Sequence, residues 1–267
     1  MAGTEPTPAS GPPFSPRVAA ASLSGESDAA WARRVAPYVG AAFLGGVCLD
    51  DASRAAAEAI VADRDRDEFL PDDPFAFVAA QLAALDDVPI VAGVNVRSAT
   101  PGPVGRAAAI CAERGAILEV NAHCRQAELC DAGCGETLLA DAERLSAHVR
   151  AAADAGATVS VKVRAEVPGV DLAETARRVA AAGAAAVHVD AMDSEAVIAD
   201  VVGAAPDLFV IANNGVRDRE TVREYLGYGA DAVSLARPTD RPEVLARVRE
   251  ATLEWFDADA REREARP

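Results

Sequence analysis

Lysine is almost missing from this chain. Of 26 basic residues in 267, one is a lysine, Lys162, and the other 25 are arginines. Aromatic residues make up only 4%, and there are three histidines. Five cysteines are too few for a disulfide scaffold in a chain of this length, and an odd number excludes full pairing. The compartment expected from this is reducing and cytoplasmic. No stretch of eighteen residues is free of charges and turn formers, so no membrane span is expected. The N-terminus lacks a basic segment followed by an apolar one, so no signal peptide is expected.

What is present points to a folded domain. At 51% hydrophobic, the chain has enough apolar surface to fill a core, which excludes a disordered polymer. The length suits one large domain or two small ones. Acids outnumber bases 42 to 26, for a formal net charge of −16. Acid excess with almost no lysine suggests a salt-loving source with a GC-rich genome, where the acid solvates the surface. An acidic chain is ordinarily a poor partner for nucleic acid, which needs Lys and Arg to displace counterions. At molar salt the Debye length shrinks to about 3 Å and that argument weakens. Net charge therefore does not decide the partner.

Residues 1–16 are rich in Pro, Gly, Ser and Thr and read as a flexible tail. From residue 17 to 256, short apolar runs alternate with amphipathic helical stretches, and residues 257–267 form a charged tail. The runs are Val18–Ser22, Ala41–Gly45, Pro89–Val96, Ile117–Asn121, Thr158–Val163, Ala185–Val189, Leu208–Ala212 and Ala232–Leu235. Between them lie helical stretches such as Val104–Arg114, Glu143–Ala155, Leu172–Ala182 and Arg219–Tyr228. Gly115, Gly156, Gly183 and Gly229 close these helices, where a left-handed residue is wanted. Uninterrupted strand–helix alternation implies a parallel sheet. Eight such units at this length predict a single-domain (β/α)8 TIM barrel. An open doubly wound sheet usually needs fewer strands. One last helix is expected over Pro242–Phe256.

In such a barrel the chemistry sits at the C-terminal ends of the strands. Those ends are polar here: Ser22-Leu23-Ser24, Asn95-Val96-Arg97, Asn121-Ala122-His123-Cys124, Lys162 with Arg164, His188 with Asp190, Asn213-Asn214-Gly215, and Arg237. Lys162 shares one strand face with Ser160 and Arg164. A lone lysine among arginines suggests chemistry that a guanidinium cannot do, either a compact charge on an anionic ring or a Schiff-base amine. The plain alternative is a lysine snorkelling at a strand end.

Cys124 lies on the loop leaving the fourth strand, where proton-donor or nucleophile work competes with simple burial. With Cys130 and Cys134 it makes a C-x5-C-x3-C pattern that matches no common zinc or iron–sulfur spacing, so no metal site is expected. His123 could be a ligand or a polar loop residue. His188 could be a core or a site residue. His148 falls mid-helix and is expected on the surface. Near the end, Asn213-Asn214-Gly215 and Ala236-Arg237 fit the phosphate-binding loops that commonly follow barrel strands seven and eight. Arg237 offers a bidentate partner. Asp231 reads as structural.

Taken together, these segments resemble the tRNA-dihydrouridine synthases, and more closely the short archaeal TIM-barrel proteins related to them. The resemblance spans about residues 20 to 240, in order. Ala21-Ser22-Leu23-Ser24-Gly25-Glu26-Ser27-Asp28 looks like the family's opening A-P-M-x-G-x-T-D. Asn95 in Val91-Ala92-Gly93-Val94-Asn95-Val96 stands where the family has a flavin-binding Gln. Glu119-Val120-Asn121-Ala122-His123-Cys124 is similar to I-N-x-G-C-P, and Gly133-Cys134-Gly135-Glu136-Thr137-Leu138-Leu139 to G-x-G-A-x-L-L. Val161-Lys162-Val163-Arg164 is similar to V-K-x-R, Val187-His188 to the start of V-H-G-R, and Ala236-Arg237 to the closing G-R. Further departures from the pattern fall at the cysteine loop and at the ends of the sixth and seventh strands. Arg125 replaces the proline after the cysteine and His123 the glycine before it. Asp190 stands at the arginine of H-G-R, and Asn213-Asn214-Gly215 replaces N-G-D. Nothing here corresponds to the further helical domain with which the tRNA synthases hold RNA.

The resemblance implies an FMN-dependent oxidoreductase acting on a uracil-type ring, with NADPH as reductant and tRNA as the possible substrate. It implies that Cys124 is the proton donor. It also implies that Ser22, Leu23, Asn95, Asn121, Lys162, His188, Asn213, Asn214, Gly215, Ala236 and Arg237 bind the cofactor. Three other readings stay open on sequence alone: a flavoenzyme for a free dihydropyrimidine or dihydroorotate, a Schiff-base lyase without flavin, and a barrel used only for binding.

Overall fold

The computed structural model describes residues 14–64 and 66–264. Eight parallel strands close into a barrel in sequence order. They are β1 (Val18–Ala20), β2 (Ala41–Cys48), β3 (Val91–Arg97), β4 (Ile117–Asn121), β5 (Thr158–Arg164), β6 (Ala186–Asp190), β7 (Phe209–Asn213) and β8 (Ala232–Leu235). The single-domain TIM barrel expected from the alternation is thus what the chain forms, and β4 and β8 have the expected bounds. Closure pairs β1 with β8, Val18 opposite Val233. Gly115, Gly156, Gly183 and Gly229 all take positive φ after their helices, the conformation in which they cost least.

Aspartates start many of the outer helices. Asp28, Asp73, Asp141, Asp171 and Asp218 each accept a hydrogen bond from a backbone N–H in the first turn of the helix they cap. Asp50 does the same through a capping box with Ser53, so part of the acid excess is spent on helix starts. The outward faces of the strands and the inner faces of the helices share one hydrophobic core.

The barrel interior is layered, as strand alternation requires. Its lower layer is apolar: Ala19, Ala41, Phe43, Ile117, Ile211 and Ala232 pack together with Phe14. Phe14 is 4% exposed and stacks edge-on against Phe209 at 5.3 Å. The expected flexible tail is therefore corrected at its end, since Phe14 plugs the barrel floor; residues 1–13 lie outside the described residues. Two other expectations change. The last helix runs Pro242–Glu264, through much of the expected charged tail. His148 is fully buried, not superficial. It lies on the inner face of the helix Ala142–Asp154, between the carbonyls of Arg144 at 2.8 Å and Ser98 at 3.1 Å. Among the described residues, no helix is long and apolar enough to cross a membrane.

Candidate active site

Above the apolar layer the interior turns polar. Glu119, two residues before Asn121 on β4, points to the same inside face and has no solvent exposure. It accepts from Asn95 Nδ2 at 2.8 Å and from Ser160 Oγ at 3.3 Å. His188 Nδ1 lies 2.8 Å from Glu119 Oε2, the oxygen that Ser160 also reaches, and His188 Nε2 lies 2.7 Å from Ser234 Oγ. Asn213 Nδ2 donates to the same hydroxyl at 2.7 Å. Burial pushes the Glu119 carboxyl up, but His188, Lys162 and Asn95 overcome it and hold it below the usual range. Burial pushes His188 down despite Glu119. The consistent state is an anionic Glu119 with a neutral His188 that donates from Nδ1 and accepts from Ser234.

This layer is the floor of a cavity of about 830 Å3 at the C-terminal mouth of the barrel. Ten of the twelve residues picked from the sequence line it: Ser22, Leu23, Asn121, Cys124, Lys162, Asn213, Asn214, Gly215, Ala236 and Arg237. Asn95 and His188 do not. Both are fully buried in the floor, and Asn95 spends its amide on Glu119 and on Asn121, whose Nδ2 donates to it at 2.8 Å.

Lys162 is 4% exposed and has no hydrogen-bond or ion-pair partner among the described residues. Register places it between Asn121 on β4 and His188 on β6. The rim is cationic although the chain is acidic. Seven arginines and the single lysine line the cavity, against one acid, Asp190. Arg125, Arg217, Arg237 and Arg241 are exposed on it.

The cysteine loop is held at both ends. Asn121 Oδ1 accepts from the backbone N–H of His123 and of Cys124, each at 3.1 Å. The Cys124 carbonyl accepts from Glu136 N at 2.8 Å. Gly135 makes that approach possible: its φ is +57°, and a Cβ there would fall 2.0 Å from the Cys124 oxygen. Glu136 in turn pairs with Arg164. Burial pushes the Cys124 thiol up, but Arg97 and then His123 outweigh it and bring it down to about 6. The other cysteines are pushed up by burial, Cys111 and Cys134 to about 12. All five are free, and among the described residues no group of three or more His, Cys, Asp or Glu is placed to hold a metal ion.

Several site residues carried no assigned role in the sequence reading. Arg97 is 1% exposed, bonds Glu68 at 2.6 Å and reaches the Ser24 hydroxyl, which ties the β3 exit to the loop after β1. Glu119 and Arg97 were reachable by counting two residues from Asn121 and Asn95. Glu68 gave no signal, because it sits in a loop distant in sequence from every motif.

A family model described as dihydrouridine synthase (Dus) matches residues 86–264. An uncharacterized protein of Methanocaldococcus jannaschii is 26% identical over 233 residues, covering 83% of this chain and 88% of that protein. Among solved structures, 3-hexulose-6-phosphate synthase from Salmonella typhimurium superposes with a TM-score of 0.54 at 14% identity, over 89% of this chain and 99% of that one. A second 3-hexulose-6-phosphate synthase structure gives 0.53 at 19% identity, over 88% and 98%. At such identities these two likenesses show the barrel fold alone.

Proposed function

The chain belongs to the dihydrouridine synthase family, and from that premise we propose that it is an FMN-dependent oxidoreductase that reduces a uracil ring in tRNA with electrons from NADPH. The observation that carries this reading is Lys162. An unpaired buried cation is costly, and it persists where a ligand completes it. Lys162 faces a cavity whose volume falls within the usual range for organic cofactors.

The residues present fit FMN. Lys162 is a compact charge suited to the electron-rich edge of the ring. Asn213 at the end of β7, Asn214 and Gly215 after it, and Ala236 and Arg237 after β8 line the cavity where barrels of this class commonly bind a phosphate, which supports giving them that role. Ser22 and Leu23, after β1, wall the cavity beside the β8 exit, because closure pairs these two strands. FMN, when bound, supplies the hydride chemistry, and the protein supplies geometry and charge. Cys124 then delivers a proton to the ring carbon as general acid. Asn121 aims the cysteine loop by its two backbone contacts. Asn95 and His188 act from beneath, keeping Asn121 and Asn213 in place through Glu119 and Ser234.

The arginine rim favours RNA over a free dihydropyrimidine or dihydroorotate. Exposed guanidinium groups are suited to a row of phosphates, whereas a free base offers them at most one anionic group.

The test is reconstitution of the full chain with FMN at high salt, followed by NADPH and an unmodified tRNA transcript. A defined flavin spectrum and new dihydrouridine in the digested RNA are expected. A folded protein that takes up no FMN overturns the reading. Flavin uptake without dihydrouridine in the RNA overturns the choice of substrate.

A further inference from the structure

His123 and Asp190 are two of the places where the chain departs from the pattern it resembles, and they are partners. His123 Nε2 lies 2.6 Å from Asp190 Oδ2, across from the β4 exit to the end of β6. His123 immediately precedes Cys124, both line the cavity, and the Asn121 side chain pins the backbone N–H of each, so the imidazole sits beside the thiol. Asp190 is itself fixed, accepting from Met192 N at 3.2 Å. A hydrogen-bonded carboxylate and imidazole thus adjoin the thiol at the wall of the cavity.

We propose that His123 and Asp190 form with Cys124 a charge-paired proton relay, in which the proton that reaches the substrate carbon is the one stored on His123. The inference rests on the reading of Cys124 as proton donor. In the resting row the sulfur is a thiolate, the imidazole carries the proton, and Asp190 balances the imidazolium. FMN, when bound, would supply the hydride, and the ring would then present an electron pair on the neighbouring carbon for this row to protonate. The His123 N–H bond breaks and an S–H bond forms. The S–H bond then breaks as its proton joins the carbon's electron pair, and sulfur keeps its own pair. His123 is left neutral, hydrogen-bonded to Asp190, and regains a proton from water.

The surroundings support this charge state. Arg97, on β3, favours the thiolate, and Glu68 beside it works in the opposite sense. Lys162, on β5, opposes protonation of His123, yet Asp190 and Cys124 together still raise the imidazole above its ordinary value, against burial. Cys48 on β2 and Cys134 near the loop are pushed up by burial and stay neutral beside it. A lone buried thiol would be a poor acid or nucleophile. A thiolate paired with an imidazolium holds one transferable proton near neutral pH.

The experiment is alkylation of the full chain by iodoacetamide across pH 5 to 10, with and without FMN. Labelling at Cys124 is read by peptide mass spectrometry, which separates it from the other cysteines. Wild-type labelling should be half-maximal near the value of about 6 that the site imposes. His123→Gln should move the midpoint up by a unit or more, and Asp190→Asn by less, because it keeps the His123 imidazole beside the thiol. Asp190→Asn keeps the hydrogen bond and the volume, so it reports even where His123→Gln folds poorly. A Cys124 midpoint above 8 in the wild type, or one that neither substitution moves, overturns the relay whatever the activity. A shifted midpoint in a protein that reduces no uridine leaves the ion pair standing and overturns the proton-donor reading instead.

Discussion

Glu119 Oε2 and His188 Nδ1 stand 2.8 Å apart inside the closed barrel, and neither side chain touches solvent. Around them every neighbouring donor is committed: Asn95 and Ser160 to Glu119, Ser234 and Asn213 to His188 and to each other. The pair therefore joins β3, β4, β5, β6, β7 and β8 beneath the cavity. Phe43 supports it from the apolar layer, with its ring centroid 5.4 Å from that of His188.

Removing Glu119 should be costly. Glu119→Ala leaves the Asn95, Ser160 and His188 donors facing a void, and each buried donor left without a partner typically costs about 1–3 kcal/mol. Glu119→Gln should cost less, since the amide can still accept one of the bonds. Denaturant unfolding of the flavin-free protein measures both. The wild type should also lose stability in acid relative to Glu119→Gln. The Glu119 carboxyl is held below its unfolded value, so its contribution is fully present above about pH 4.3 and disappears as pH falls through the folded value. Equal stability of Glu119→Ala and wild type would mean that the barrel interior is not held by this pair.

Lys162 separates stability from binding. Lys162→Met removes a buried charge that has no hydrogen-bond partner but also one of the charges that hold Glu119 ionised, so the two effects offset and the flavin-free protein should melt close to wild type, while FMN should bind at least tenfold more weakly by flavin fluorescence titration. Lys162→Arg should keep the fold and slow turnover, because the planar guanidinium is larger and differently hydrated. Unchanged FMN affinity in Lys162→Met would return this residue to a lysine that merely snorkels at a strand end.

Gly135→Ala should unseat the cysteine loop. The new methyl would meet the Cys124 carbonyl at 2.0 Å, and the backbone would keep a φ of +57° that disfavours a side chain. The loop must shift, so the Glu136 N–H bond to Cys124 is lost along with the alignment of the thiol with His123. Iodoacetamide labelling of Cys124 near pH 7 should slow, with the barrel itself intact by circular dichroism. Labelling at the wild-type rate would show that the loop tolerates the methyl group.

The sequence made the architecture legible because the strand–helix alternation repeats eight times, glycines close four of the helices, and each unit supports the next. Strand ends also located most of the cavity wall, since a barrel gathers them at one mouth whatever the loops do. The floor was harder. Glu119 and Arg97 lie on the same faces as Asn121 and Asn95, but an inward charge beneath a site follows from closure of the barrel, which no local pattern encodes. His148 was misplaced because a buried histidine held between two carbonyls looks, in sequence, like any polar residue on a helix. The pairing of His123 with Asp190 joins positions 67 residues apart and has no local trace at all.

The row of Asp190, His123 and Cys124 gives the fold a particular pH dependence. Cys124 is brought down to about 6 in the folded protein from an ordinary thiol value near 9. Its contribution is therefore fully present above pH 9, and falls away as pH drops toward 6. His123 has the opposite sign. Its folded value is raised, so its contribution is fully present below the unfolded value of about 6.5 and is lost as pH rises through the folded one. Where the thiolate and the imidazolium coexist, the folded row binds as many protons as the unfolded one, and the two slopes cancel. Wild-type stability should accordingly be nearly flat just above neutral pH. Cys124→Ser removes the thiol's share and keeps His123 and Asp190, so its stability should fall with pH across that window. The difference between wild type and Cys124→Ser, measured by denaturant unfolding under reducing conditions, should widen steadily from pH 6 to 9. A constant difference over that range would mean that Cys124 stays protonated in the folded state, and the sulfur would then act from the outset as an ordinary thiol.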